Sequence, residues 1–447
     1  DFFRQLLPQW DNYRVHVASA PVATGKSLLA RAIQEQTGAA ILTSENTLVD
    51  QYAETFPDLN ALKGKARYAC EFGDTCALTC AQLGEFCKSC PYWSARVRAG
   101  FGEATVFNPM SYIINVRNGV VDAAEVLIID EAHKLGGFLR TLGTVELQER
   151  DATFTEADVS DMARVAAYAQ KTINRLYKLV ALKKAAVPPD PTLKDDTEML
   201  EKLKMIHFSL TMHPRDYFCH LKETVVRGCK TRSLVVEPLR APKMFVDVLL
   251  KSSKILLMSG TMFPHHIYDL IGHQPYSYIE LGAPIPAKNR TIRIAPASPK
   301  LDKDTPPGVY AKKIAEIIAK HPNDRGIIHA TYSLANNLKP LLPGCVMGHG
   351  KEDKAYAVTA FKDAPAGTYL LGSGLAEGID LTGDLARVNI ITKLQFPYLG
   401  DPYVQRRKNM SDGELWYLAC TVEHLIQAAG RTTPVSYTHL RAHETKA

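Results

Sequence analysis

Short apolar runs bounded by turn residues recur along this chain, and stretches of helical spacing lie between them. Val15 to Ala18 is one such run. It stands before a Gly25-Lys26-Ser27 turn, and Leu28 to Gln36 follows with helix-like spacing. Ala39–Thr43, Ala104–Phe107 and Val126–Ile129 have the continuous apolar character of buried strands, and Gln51–Phe56 lies in a helical stretch. Buried strands alternating with helices predict a parallel α/β sheet. From Phe154 to about Glu223 the pattern changes. Val165, Ala166, Tyr168, Ile173, Leu176, Leu179 and Val180 recur at helical spacing; Pro188, Pro189 and Pro191 interrupt it; and a second helical pattern runs from Met199 to Leu210. This segment is expected to be a helical insertion. Strand-like runs return at Ile255–Met258, Gly326–His329, Tyr369–Gly372 and Val388–Thr392, predicting the end of one α/β domain and most of a second.

Composition narrows the class. The 447 residues are 46% apolar and 22% charged, enough for more than one buried core and too apolar for a disordered polyelectrolyte. The net charge of +6 is mild and permits a phosphate-backbone partner without requiring one. No apolar run is long enough to span a bilayer, and no secretory signal opens the chain, so a cytoplasmic protein, bacterial or from a phage-infected cell, is expected. The tail Val435–Thr445 reads VSYTHLRAHET and resembles read-through of a transposon-based sequencing adapter, so 435–447 is set aside as an expected artefact.

Two motifs carry chemistry. Ala20-Pro21-Val-Ala-Thr24-Gly25-Lys26-Ser27 follows a strand and precedes a helix. Small residues there let backbone amides wrap phosphates; Lys26 reaches the β- and γ-phosphates and the Ser27 hydroxyl binds Mg²⁺. Val126-Leu-Ile-Ile-Asp130-Glu131-Ala-His133 is an apolar strand ending in two acids. Asp130 is expected to hold Mg²⁺ and Glu131 to deprotonate the attacking water.

Nine cysteines occur, and five crowd one stretch: Cys70, Cys76, Cys80, Cys87 and Cys90. Four thiolates on a compact loop can hold an iron–sulfur cluster or Zn²⁺. Around them lie Lys63, Lys65, Arg67, Arg96 and Arg98, interleaved with Tyr68, Tyr92 and Trp93, a pattern suited to phosphates and stacked bases. His265 and His266 are adjacent, which should put them on different faces of one element.

The phosphate loop and the Asp-Glu-Ala-His (DEAH) box together resemble the superfamily 2 helicases, and the remaining motifs resemble their XPD/DinG branch. Leu62-Lys-Gly-Lys65 leading through Tyr68 to Cys70 resembles the approach to that branch's iron–sulfur domain, and Cys90-Pro-Tyr-Trp-Ser-Ala-Arg96 resembles its closing element. Ala104–Asn108 resembles the strand that follows. Met258-Ser259-Gly260-Thr261 resembles motif III, and Tyr332-Ser333 stands where motif IV would be. Glu377-Gly378-Ile-Asp380 resembles motif V and Gln427-Ala-Ala-Gly430-Arg431 motif VI. The motif VI pattern has a second Arg three residues after Arg431, where this chain has Pro434 at the edge of the adapter-like tail.

The resemblance implies two RecA-like P-loop domains binding ATP and Mg²⁺ between them. It implies a 4Fe–4S cluster with Cys70 and Cys90 as its best-fixed ligands, Cys87 beside Cys90, and Cys80 taken over Cys76 as the fourth. Glu377, Gly378, Asp380, Gln427, Gly430 and Arg431 would approach the nucleotide from the second domain, and His133 would link nucleotide state to that domain. The expected divisions are 1–65, 104–140 and 236–290 for the first domain, 66–103 for the iron–sulfur domain, 141–235 for an arch-like helical insertion, and 291–434 for the second domain. The implied activity is a monomeric DNA helicase of DNA repair type. It would move five-prime to three-prime on single-stranded DNA and open forked duplex DNA. The alternative is a zinc-containing DEAH-type RNA helicase or remodelling ATPase.

Overall fold

The structure is a computed structural model. It describes residues 2–21, 24–71, 73–76, 90–148, 155, 159–185, 193–226, 229–282, 292–294, 305–342, 344–348, 351–376, 379, 381 and 383–430.

Seven strands form the first sheet, in the order Tyr276–Glu280, Val15–Ser19, Lys254–Ser259, Val126–Asp130, Ala40–Thr43, Thr105–Phe107 and Asn60–Leu62. Every pairing is parallel. Side chains alternate between the two faces with period two. Val15, Val17, Leu127, Ile129, Ile255 and Leu257 enter one buried cluster. Ala18, Ile41, Ile128, Leu256 and Met258 enter the other. Both faces are therefore covered, which is why these strands read as unbroken apolar runs. The register aligns Ser19 with Ser259 and Met258 with Asp130, so the phosphate-loop strand and the DEAH strand end level on either side of a shared neighbour.

The second sheet has four parallel strands in the order Cys345–Gly348, Tyr369–Gly372, Gly326–His329 and Val388–Ile391. Ile328 and Leu371 face one core, Ile327 and Leu370 the other. The expected strands at 326–329, 369–372 and 388–392 are all present.

The expected helical insertion contains more than helices. Met162–Lys184 and Leu193–Met212 are long helices, but Tyr217–Val226 and Cys229–Pro238 form an antiparallel hairpin extended by Val145–Gln148. Tyr217, Cys219 and Leu221 of one strand and Leu234 and Val236 of the next alternate inward onto the helices. The helices expected there are present, and the strands beside them were not anticipated. A half-buried strand needs only every second residue apolar, and the polar residues between them hid the pattern. No helix among the described residues is long and apolar enough to cross a membrane.

A charged clasp joins the second unit to the first. Arg407, fully buried, gives two hydrogen bonds to the Asp412 carboxylate, at 2.7 and 2.8 Å. Arg240, from the first unit, reaches Asp269 at 2.8 Å and Asp412 at 3.4 Å. The Arg140 guanidinium lies 3.7 Å from the centre of the Tyr403 ring.

Candidate active site

The phosphate loop forms where the Val15–Ser19 strand leaves the sheet. Ala20 is buried and its N–H donates to the Ser259 carbonyl at 2.8 Å, which tethers the loop to the neighbouring strand and leaves no room for a large side chain. The Thr24 hydroxyl donates to the Pro21 carbonyl at 2.7 Å. Gly25 then has φ of +80°, in the left-handed region that glycine enters without strain, and the Lys26–Thr37 helix starts at once. A helix that begins here aims its first amides and its positive dipole end at the loop's concavity, which suits an anion. Lys26 Nζ donates to the Ala20 carbonyl at 3.2 Å and lies 3.5 Å from Glu131 Oε1.

The DEAH strand delivers its acids beside that loop. Asp130 is 3% exposed, and burial together with the adjacent Glu131 pushes its carboxyl up to about 6. Two donors hold it: the Glu131 N–H at 2.9 Å on Oδ1 and the Tyr52 hydroxyl at 2.9 Å on Oδ2. Ser27 stands near enough to act on the Tyr52 hydroxyl, so Ser27, Tyr52 and Asp130 are neighbours. Glu131 has φ of +50° and is the sole non-glycine residue at positive φ among those described. A non-glycine residue in this region costs on the order of 1 kcal/mol and is characteristic of sites where a side chain must be aimed.

His133 connects this site to the second unit. Its Nδ1 lies 2.7 Å from Ser259 Oγ and 3.3 Å from Glu131 Oε2. On the other edge of the ring, Gln427 Nε2 donates to Nε2 at 2.9 Å. Gln427 lies on the Gly413–Gly430 helix, so the motif VI glutamine touches the DEAH histidine across the two units. Glu423, one turn earlier on the same helix, lies 3.6 Å from His133 Nε2 and 3.2 Å from His266 Nε2.

Of the expected nucleotide residues, Ala20, Pro21, Thr24, Gly25, Lys26, Ser27, Asp130, Glu131, His133, Gln427 and Gly430 are described. Glu377, Gly378, Asp380 and Arg431 lie outside the described residues, as does the tail from 435. Sequence reasoning missed Tyr52, Glu423 and His266 as members of the site. Only Glu423 had a local signal, since residues four apart on a helix share a face with Gln427.

His265 and His266, expected on different faces, lie side by side in the structure. Their ring centroids are 4.0 Å apart, because the Pro264–Ile271 helix begins here and His266 folds back so that Nδ1 accepts the Phe263 N–H at 3.2 Å. With Glu423 they form a group whose ligand atoms lie within 4.8 Å of one another. The Phe263 donor on Nδ1 leaves the His266 proton on Nε2, the atom that faces Glu423. The pair is therefore a close imidazole–carboxylate contact, not a ready pair of metal ligands, which would need Nε2 bare and Nδ1 protonated.

In the cysteine region, Cys76 and Cys90 are both buried, free, and 3.6 Å apart at their sulfurs. Burial first, then the bond and charge interaction with Cys90, push the Cys76 thiol up to about 11, with Cys70 adding to the effect. Cys80 and Cys87 lie outside the described residues. Two free thiols are thus in contact, and among the described residues Cys70 does not join them in a group of three ligand atoms within 4.8 Å of one another. Cys76, passed over in the sequence reading, is thus in contact with Cys90. The flanking residues expected on a nucleic-acid path have partners within the fold. Tyr68 packs edge-on against Tyr92 at 5.6 Å and its hydroxyl donates to the Ala61 carbonyl. Lys63 pairs with Asp50 and Arg98 with Glu103, while Arg96 bonds Asn115 and lies over Trp93.

Residues 311–433 match the family model of a helicase C-terminal domain. A solved XPD helicase superposes over 96% of this chain and 91% of its own, with a TM-score of 0.55 and 16% identity. An apo XPD structure gives 0.53 and 15%, over 96% of this chain and 92% of its own. The chain is similar in fold to these XPD structures. No curated protein sequence matches the chain. At this identity the likeness is one of fold: a mixed α/β chain with parallel sheets, as in RecA-like helicase domains.

Proposed function

We propose that the chain is an ATP-driven DNA helicase that moves along single-stranded DNA, five-prime to three-prime, and opens forked duplex. One observation carries this reading: Lys26, Ser27, Asp130 and Glu131 converge at the carboxyl edge of one sheet, and Gln427 from the other unit reaches His133 beside them. In this reading the Lys26–Thr37 helix start and the Lys26 ammonium bind the β- and γ-phosphates. Ser27 and Asp130 hold Mg²⁺, which supplies charge neutralisation at the phosphates when bound. Glu131 orients the attacking water and takes its proton, and Arg431 comes from the second unit to the γ-phosphate. Closing of the two units on ATP and their release after hydrolysis would step the protein along the strand.

The contact between Cys76 and Cys90 supports a metal or cluster site in this segment, and the identity of the metal separates the iron–sulfur DNA helicase from the zinc-bearing RNA enzyme. Cys70, Cys76 and Cys90 would be ligands, with Cys80 or Cys87 completing the set of four.

The test uses the whole chain purified without oxygen. Matched iron and sulfide, together with ATP hydrolysis stimulated by single-stranded DNA and lost in Lys26→Ala, is the expected result. Zinc without sulfide, with stimulation by RNA alone, would overturn the DNA helicase in favour of the zinc-bearing RNA enzyme. Hydrolysis unchanged by Lys26→Ala would overturn both.

A further inference from the structure

We infer that Glu423, with His266 as its partner, is a positioning pair that aligns the hydrolytic glutamate when the two units close. The inference deepens the proposed ATPase and rests on it.

The directions along the contact follow from the donors beside it: the Phe263 N–H at one end and the Gln427 amide nitrogen at the other. The Phe263 N–H donates to His266 Nδ1 at 3.2 Å, which leaves Nε2 as the protonated ring nitrogen, 3.2 Å from Glu423 Oε2. The other carboxylate oxygen, Oε1, accepts from Gln427 Nε2 at 3.4 Å. That amide also donates to His133 Nε2 at 2.9 Å. His133 therefore carries its proton on Nδ1, where it faces Ser259 Oγ at 2.7 Å and Glu131 Oε2 at 3.3 Å. Ser259 is already accepting from the Thr261 N–H at 3.0 Å, which keeps its oxygen turned toward the imidazole. The chain runs His266, Glu423, Gln427, His133, Glu131. Glu423 and Gln427 belong to the second unit; the other three belong to the first.

This order gives Glu423 a task that Gln427 cannot do alone. A glutamine amide can rotate to present either oxygen or nitrogen to His133. A carboxylate at Glu423 accepts only, and so fixes the nitrogen of Gln427 toward His133. The His133 tautomer follows, and with it a donor aimed at Glu131. Withdrawal of the second unit removes Glu423 and Gln427 together and frees His133 to change tautomer. The device thus ties the aim of Glu131 to closure, acting through neighbouring groups without touching the nucleotide.

The experiment measures DNA-stimulated ATP hydrolysis in wild type, Glu423→Ala, Glu423→Gln, His266→Ala, His266→Gln and Glu423→Ala/His266→Ala, with selective ¹⁵N-histidine spectra of each. Expected is a fall in kcat of about tenfold in Glu423→Ala, with KM for ATP within about twofold, and a double variant no worse than the single. Glu423→Gln should also lose rate, because its amide cannot accept from both His266 and Gln427. His266→Gln retains a donor toward Glu423 and should recover most of the rate lost in His266→Ala. In the spectra, the Nδ1–H form of His133 should be present in wild type and mixed in Glu423→Ala. Additive losses, or an unaltered His133 spectrum in a folded Glu423→Ala, would overturn the pair. A wild type with no Lys26-dependent hydrolysis would overturn the ATPase reading instead, and the ¹⁵N spectra would still decide the tautomer.

Discussion

The Tyr52 hydroxyl donates a 2.9 Å hydrogen bond to Oδ2 of Asp130, tying a helix after the second strand of the first sheet to the acid that ends the DEAH strand. Tyr52 is buried and its own ionisation is pushed well above the usual tyrosine range, by burial first and by Asp130 next. It therefore acts as a fixed donor that orients one carboxylate oxygen and leaves the other to the Glu131 N–H.

Removing that hydroxyl should be felt in the metal requirement. In Tyr52→Phe, Asp130 loses a bond that favours its ionised form, so its carboxyl titrates still higher. The expected outcome is a several-fold higher Mg²⁺ concentration for half-maximal ATP hydrolysis, with a stability loss of about 1 kcal/mol. A Mg²⁺ titration of hydrolysis at neutral pH checks it; an unshifted midpoint would remove Tyr52 from the site.

The thiol contact makes a prediction about metal content. Cys76→Ser and Cys90→Ser should each lose most bound metal from protein purified without oxygen, since their sulfurs are 3.6 Å apart and would share one centre. Cys345→Ser, whose half-buried thiol packs against the core of the second unit, should retain it. Metal and sulfide analysis of the three variants reads the result directly.

The clasp between the units should matter more for stability than for chemistry. Arg407→Ala leaves Asp412 without its main partner and strips the cation from the Trp416 ring, 5.2 Å away. Breaking a buried pair by deleting one member costs roughly 3 kcal/mol. Chemical denaturation should show that loss, with Asp412→Asn smaller because Asp412 is about one-third exposed.

His265 gives a pH dependence of definite sign. Burial first, then His266 and Arg407, push its imidazole down to about 3. An unfolded histidine titrates near 6.5, at about its model-peptide value. Between those values the unfolded chain takes up a proton that the folded chain refuses. The stability His265 contributes is therefore complete above about pH 6.5 and is lost as pH falls toward 3. His265→Gln should unfold with a shallower dependence on pH across that window than wild type. Parallel slopes in thermal melts would contradict the neutral burial.

What the sequence determined by itself was whatever short-range chemistry dictates. The 20–27 loop needs small residues, a glycine at positive φ and a helix start, all within eight consecutive positions. The 126–133 strand needs a buried run and two acids at its end. Both are legible because their geometry is local, and the parallel α/β class follows from runs buried on both faces. The antiparallel hairpin at 217–238 was not legible, because its apolar residues alternate with polar ones and its partner strand lies some seventy residues earlier at 145–148. Only the tertiary structure decided that Tyr52 braces Asp130, that Cys76 faces Cys90, and that Glu423 and His266 meet. Each pair is brought together by strand order or by the docking of two units. A residue's own neighbours in sequence carry no record of a partner that sheet topology supplies from far along the chain.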